Sequence, residues 1–221
     1  MTSEATPETI ALFGLTGSTG SHFVKLALEK GYKVKALVRS PEKVEIKNDN
    51  LEIIKGSFTE EEYIKNTVAG TDYVVCMAGG KLGDAKAYPK DLMLNFVNTL
   101  VPLMEAENTK AFLYQAGAFS HDFKGKIPMV MKFLRGSAGR MIGILPNVKD
   151  NDKVIQFLGS PDIKTPVIIT LPGGISEKPS MKELHLSSKP NMGMITFYDL
   201  AKCSLAAIKD ESAYGKCHYV A

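Results

Sequence analysis

Residues 10 to 20 read Ile10-Ala11-Leu12-Phe13-Gly14-Leu15-Thr16-Gly17-Ser18-Thr19-Gly20, and a stretch with helical spacing, Ser21 to Glu29, follows directly. An apolar strand enters a glycine-rich turn, and the turn opens a helix. This order of elements suits the pyrophosphate of a dinucleotide. One glycine permits the tight turn, one lets the backbone approach phosphate, and one allows close helix–strand packing. Free N–H groups at the helix start, together with the helix dipole, favour an anion. The spacing departs from the standard G-x-G-x-x-G, because Gly14, Gly17 and Gly20 form G-x-x-G-x-x-G. Thr16, Ser18 and Thr19 add hydroxyls able to reach phosphate or cap the helix. The plain alternative is a glycine-rich turn that binds nothing; the flanking strand and helix argue against it.

Outward from this turn, apolar runs alternate with helical patterns, the signature of a parallel sheet with crossover helices. Strands are expected at Thr9–Phe13, Lys33–Val38, Leu51–Lys55, Tyr73–Met77, Ala111–Gln115, Val167–Leu171 and Lys216–Val220. Helices are expected at Ser21–Lys30, closed by Gly31, and at Thr59–Val68, whose first turn carries Glu60, Glu61 and Glu62 where the dipole favours acids. Further helices are expected at Leu92–Glu107, Val130–Leu134, Asn151–Leu158 and Tyr198–Lys209, with a turn and short helix start at Pro41–Lys43. Seven strands alternating with helices form one α/β doubly wound, mostly parallel sheet with helices on both faces. Its ligands belong beyond the carboxyl ends of the strands.

Composition agrees with one such domain. The chain has 221 residues, of which 44% are hydrophobic and 23% charged. A net charge of +3 implies no broad nucleic-acid surface. Residues 1–8 read as a disordered tail before a single domain at 9–221, and the polar start lacks the basic and apolar parts of a secretory signal. No run reaches the roughly 18 apolar residues of a membrane helix. Three cysteines, Cys76, Cys203 and Cys217, occur without CxxC or Cys/His pairing and read as reduced, buried thiols in the cytoplasm. His22, His185 and His218 show no metal spacing.

The end of the second strand in such a fold reads the adenosine ribose: an acid accepts from the 2′-hydroxyl, whereas an arginine accommodates a 2′-phosphate. Here the strand ends Leu37-Val38-Arg39-Ser40 with Lys43 nearby, and no Asp or Glu occupies that end. An arginine fork beside a hydroxyl suits a phosphate, so the expected cofactor is NADP(H) rather than NAD. The alternative is that Arg39 is an ordinary solvated charge.

The ordered set GLTGSTG, LVRSPEK, EIIKGSF and YVVCMAGG resembles the atypical short-chain dehydrogenase/reductases, and within them the NmrA-like and flavin/biliverdin reductase-like group. The likeness continues through KVIQFLGSPDIKTPVIITLPGGISE, ITFYDLAKCSLAAI and GKCHYVA, covering nearly the whole chain from Thr9. It implies a Rossmann-like fold that binds NADP(H). By position, the resemblance gives Gly14, Thr16, Gly17, Ser18, Thr19 and Gly20 to the pyrophosphate, and Arg39 and Ser40 to the 2′-phosphate. It puts Ser57 and Phe58, after Gly56, beside the adenine, and Met77, Ala78, Gly79 and Gly80 along the adenosine ribose and linking phosphates. Gln115, Ala116 and Gly117 would approach the nicotinamide, with Pro172, Gly173, Gly174 and Ile175 closing over it.

Standard members of the wider superfamily use a Ser and a Tyr-x-x-x-Lys pair, in which the lysine lowers the tyrosine pKa for proton exchange with a carbonyl oxygen. In this family the pair belongs on the helix after the fifth strand, where residues 128 to 140 hold Met129, Lys132 and Arg135 and no tyrosine. Tyr198-Asp-Leu-Ala-Lys202 has the spacing but matches the late helix, so no catalytic residue is assigned. Ser120 and His121 after the fifth strand could donate to a substrate carbonyl, or be a polar loop pair. Tyr88 and Lys132 could border a substrate, or be surface packing and a solvated helix face. Two functional readings follow. One is an NADPH-dependent reductase of a small-molecule conjugated acceptor such as a flavin or quinone, with no nucleic-acid or membrane partner. The other is a non-catalytic NADP-binding redox sensor that acts through a protein partner.

Overall fold

The strand before the glycine turn, β1 (Thr9–Phe13), is apolar because it lies inside the sheet, with Ile10 to Phe13 all buried. A computed structural model of the protein describes residues 6–79, 88–141, 145–177, 183–190 and 193–221. β1 pairs in parallel with β2 (Lys33–Val38) on one side and β4 (Tyr73–Cys76) on the other. β3 (Leu51–Lys55) extends the sheet beyond β2; β5 (Ala111–Gln115), β6 (Val167–Leu171) and β10 (Lys216–Val220) extend it beyond β4. Interior strands β4 and β6 are buried at every position, as parallel strands covered on both faces must be, whereas edge strand β3 keeps Glu52 and Lys55 exposed.

Helices cover both faces. α1 (Ser18–Glu29) and α6 (Phe197–Ala207) pack together over one face, where Phe23, Val24 and Ala27 meet Ile10, Leu12, Val75, Leu113 and Ile168. α2 (Glu61–Val68), α3 (Leu92–Ala106) and α5 (Leu145–Leu158) cover the other, burying Phe96, Leu100, Met104 and Ile155 against Phe13, Val74, Phe112 and Ile169. α4 (Met129–Met141) packs on α5. Gly31 ends α1 at φ 81°, a left-handed turn that glycine adopts without a Cβ penalty. The expected strands recur at their expected bounds, except that β4 stops at Cys76.

Several elements differ from expectation. α1 starts at Ser18, so the last residues of the glycine motif are already helical. α2 starts at Glu61 with Glu60 as its cap, and α4 and α5 are longer than the patterns that mark them. Three short strands were not expected. β8 (Leu186–Ser187) adds an antiparallel edge beside β10, while β7 (Gly174–Ser176) and β9 (Met194–Thr196) pair in parallel apart from the main sheet. Elements of two or three residues are too short to show strand periodicity. Glu8 is a correction to the expected tail: Lys209, Lys110 and Tyr73 all bond its carboxyl, fastening this residue beside β1. Residues 1–5 of that tail lie outside the described residues.

Candidate functional site: a dinucleotide cradle

The strand order 3-2-1-4-5-6-10-8 reverses direction between β1 and β4, so the switch point falls at Gly14 and Met77. Gly14 has φ 101°, and a Cβ there would stand 2.6 Å from Ala78 N and 2.9 Å from Met77 O. Gly14 O also accepts from Gly17 N at 3.0 Å, which closes the turn. A Cβ on Gly20 would run into Gly14 O and come within 2.8 Å of Gly14 C. Two of the three glycines are therefore required by backbone contacts, one at the switch point and one where α1 meets β1.

Gly17 is the N-cap of α1, in extended conformation, with no side-chain cap and no acid in the first turn. The first ladder bond is Ser21 N to Gly17 O at 2.9 Å, and among the described residues the amides of Ser18, Thr19 and Gly20 have no acceptor. Thr16, Gly17 and Ser18 are exposed, whereas Thr19 and Gly20 are buried. An open helix start with unpaired N–H groups and no competing carboxylate favours an anion.

Arg39 is exposed at the carboxyl end of β2, and Ser40 follows as the cap of a short 3₁₀ turn, Pro41–Lys43. Gly56 N donates to Val38 O at 3.1 Å, so the segment after β3 lies beside this end of β2. Ser57 in that segment shares a 2.8 Å hydroxyl bond with Thr59. Phe58 turns inward, its ring 5.5 Å from that of Phe96, which in turn is 4.9 Å from Phe13. Met77 also faces inward with its side chain in the core, leaving its backbone to meet Gly14. Ala78 is half-buried and Gly79 exposed beyond it; Gly80 lies outside the described residues.

At the other end, Ala116 N donates to Thr170 O and Ala118 N to Pro172 O, both at 2.9 Å, so the Gln115–Gly117 segment runs beside the Pro172–Gly174 loop. Gly117 O accepts from Ser120 N. Gly174 and Ile175 belong to β7, where Met194 Sδ occupies the space a Cβ on Gly174 would need, at 2.5 Å. Gln115 Oε1, Thr170 Oγ1 and Ser120 Oγ are buried there without a partner among the described residues, a concentration of unmet polar capacity at the carboxyl ends of β5 and β6.

Two acids that sequence reasoning passed over, Asp150 and Asp152, meet residues of the loops and helices around this end. Asp150 is buried, and its carboxyl accepts from Tyr88 Oη and Met93 N at 2.8 Å and from Leu94 N at 3.2 Å, capping α3 from α5. Burial first, and then the bond to Asp150, raises the Tyr88 phenol above its usual pKa. Asp152, two residues further, accepts from the His121 backbone at 2.8 Å and pairs with His121 Nδ1 at 3.1 Å and Arg135 at 2.7 Å. The acids of the Lys149–Asp152 stretch are the only sequence signal for these contacts. Tyr198 lies exposed on α6 with its ring 5.8 Å from His22, and Lys202 and Lys132 are exposed.

Residues 14–211 match the profile of the NAD(P)H-binding family. The chain belongs to that family. Solved structures share its fold over nearly its whole length. A candidate epimerase from Bacteroides thetaiotaomicron has a TM-score of 0.77 at 21% identity, with 97% of each chain covered. ChuY, an anaerobilin reductase from Escherichia coli O157:H7, has 0.73 at 13% identity, with 96% of each covered. A short-chain dehydrogenase/reductase from Veillonella parvula, solved with NADP, has 0.70 at 11% identity over 97% of this chain and 94% of that one. At these identities the likeness concerns the fold. Among the described residues no helix is long and apolar enough to cross a membrane.

Proposed function

We propose that this NAD(P)H-binding protein is an NADPH-dependent oxidoreductase of the atypical short-chain dehydrogenase type, NmrA-like or flavin/biliverdin reductase-like, that reduces a conjugated acceptor such as a flavin or quinone. The observation that carries the reading is the joint arrangement of the open α1 start and Arg39. The amides of Ser18 to Gly20 provide for a pyrophosphate, and the exposed guanidinium at the end of β2 provides for a 2′-phosphate. The residues fit the cofactor. The Gly14–Ala78 approach leaves no room for a side chain in the cradle, and Gln115 Oε1 is a buried acceptor in want of a donor at the far end. When bound, NADPH supplies a hydride at its nicotinamide ring. The protein's part is to hold and orient the two reactants and to exclude water. With no tyrosine on α4, acceptors that take hydride readily suit the site better than simple ketones. Free thiols at Cys76, Cys203 and Cys217 fit a cytoplasmic setting.

The test is direct. Purified protein is mixed with NADPH and a panel of flavins and quinones, and absorbance loss at the reduced-nicotinamide band is followed. Turnover with at least one acceptor is expected; tight NADPH binding with no turnover would sink the reading. That outcome would support the second reading, a redox sensor acting through a protein partner. One observation favours it: α4 exposes Met129 (87%), Val130 (47%) and Phe133 (74%), more apolar surface than one short helix usually presents to water.

A further inference from the structure

Beyond Ala118 the chain turns at Ser120 and places His121 against α5. A single carboxyl group organises everything around that histidine. Asp152 Oδ1 accepts the His121 backbone N–H at 2.8 Å, and Asp152 Oδ2 accepts from Arg135 at 2.7 Å and stands 3.1 Å from His121 Nδ1. The other arm of the Arg135 guanidinium donates to Phe119 O at 3.1 Å, so α4, α5 and the loop after β5 are joined at one point. Asp152 and Arg135 are largely buried, with side chains 15% and 17% exposed, whereas the His121 ring is 34% exposed. A carboxylate oxygen beside Nδ1 favours the tautomer with its hydrogen on that nitrogen and leaves Nε2 as the open one. Nε2 has no hydrogen-bond partner among the described residues. The other charged neighbour, Asp122, is occupied by the backbone amides of Lys124 and Lys126.

His121 lies three positions beyond Ala118, whose N–H bonds Pro172 O at 2.9 Å. Three residues span at most about 10 Å, so the His121 backbone lies within that distance of the Ala118–Pro172 contact, at the mouth between the β5 loop and the Pro172–Gly174 loop. A carboxylate set beside one imidazole nitrogen, with the other nitrogen open, is how proteins orient an imidazole for proton transfer.

We propose that His121 is the proton donor for a conjugated carbonyl acceptor, with Asp152 and Arg135 as the positioning residues that hold its ring. This rests on the reductase reading above. When bound, the reduced dinucleotide would supply a hydride to carbon of the acceptor; as the carbonyl π pair moves onto oxygen, the Nε2 proton of an imidazolium His121 would pass to that oxygen, leaving the neutral ring. The imidazole then regains a proton from water, so the overall change is one hydride and one proton added to the acceptor. A positioned acid of this kind is worth on the order of 10²- to 10⁴-fold in rate.

The experiment compares wild type, His121→Ala and Asp152→Asn with NADPH and menadione as acceptor, using NADPH affinity as the check on folding. The expected result for His121→Ala is a fall in kcat of about 100-fold with NADPH affinity retained and turnover partly restored by imidazole in the buffer. Asp152→Asn should lower kcat while leaving KM for menadione near the wild-type value. Nitrogen NMR of the cofactor-free protein supplies a readout apart from activity: His121 should hold its hydrogen on Nδ1 in wild type and lose that preference in Asp152→Asn. Unaltered menadione turnover in His121→Ala, or a loss that imidazole does not restore, overturns the proposal. A wild-type protein that binds NADPH and reduces neither menadione nor any flavin overturns the reductase reading instead.

Discussion

Gly14 and Ala78 approach so closely that no side chain fits between them: a Cβ on Gly14 would stand 2.6 Å from the Ala78 amide nitrogen. The same residue sits at φ 101°, where an L side chain is strained by about 1–3 kcal/mol even without a clash. Gly14→Ala should therefore lose about 3 kcal/mol or more of stability and push the Met77–Ala78 segment away from β1. Urea unfolding followed by circular dichroism measures the first effect, and a titration with NADPH the second. Wild-type stability in this variant would mean that the β1–β4 approach is looser than described.

Arg39 should decide between the two nicotinamide dinucleotides. A charge-assisted contact to a phosphate is worth about 1.5–3 kcal/mol, so Arg39→Ala should weaken NADPH binding by roughly 10- to 100-fold and change NADH binding little. Fluorescence titration with both dinucleotides reads the outcome. An Arg39→Ala protein that keeps its NADPH preference assigns the 2′-phosphate elsewhere.

Asp150 satisfies the first amides of α3 and the Tyr88 hydroxyl from a buried position. Asp150→Ala would leave Met93 N and Tyr88 Oη without acceptors and should cost about 3 kcal/mol. Tyr88→Phe removes only one of these bonds and should cost about 1 kcal/mol. Chemical unfolding of the two variants side by side tests the ranking, which fails if Tyr88→Phe is the more damaging.

Glu8 links stability to acid. The bond from Lys209 does most to draw its pKa from the ordinary 4.5 to about 2; partial burial opposes this, and bonds from Lys110 and Tyr73 add to it. A carboxyl whose pKa is lower in the folded state stabilises the fold fully above about pH 4.5, and that contribution fades as pH falls toward 2. With the lysine partners half-exposed, screening holds the pair to about 1 kcal/mol. Wild type should lose its advantage over Glu8→Gln across this window, as read from urea midpoints at a series of pH values. A constant gap between the two proteins from pH 6 to pH 2.5 would contradict the assignment.

The three thiols should be inert in the native protein. Burial raises Cys76 to about 12, Cys203 to about 11 and Cys217 to about 12, so the reactive thiolate is scarce at pH 8. Iodoacetamide at that pH should label none of them until denaturant is added. Prompt labelling of native Cys217, the least buried, would show a local opening at β10.

The main sheet was legible because its strands are apolar runs of four to six residues between turn signals, as in Val167–Leu171 before Pro172. The cradle was legible for the same reason: its glycines and the strand and helix around them lie within one short stretch, and Arg39 follows at the end of the next strand. The far end was not. Met93 N and Asp150 are 57 positions apart, and His121 and Asp152 are 31 apart. An acid in the middle of a helix looks the same in sequence whether it meets water or a buried amide. Phe58 shows the converse: the resemblance puts it beside the adenine, whereas in the fold its ring is engaged with Phe96.

The small β7–β9 pair has a mechanical consequence. Gly174, Ile175 and Ser176 are stitched to Met194, Ile195 and Thr196, and Thr196 caps α6 through a 3.0 Å bond from Asp199 N. α6 in turn lies packed along α1, whose first turn faces the opposite end of the cradle. The two ends of a bound dinucleotide would thus grip one continuous frame. Ordering the frame at one end lowers the entropy still to be lost at the other, so the halves of the ligand should bind cooperatively, each more tightly when joined than their separate affinities imply.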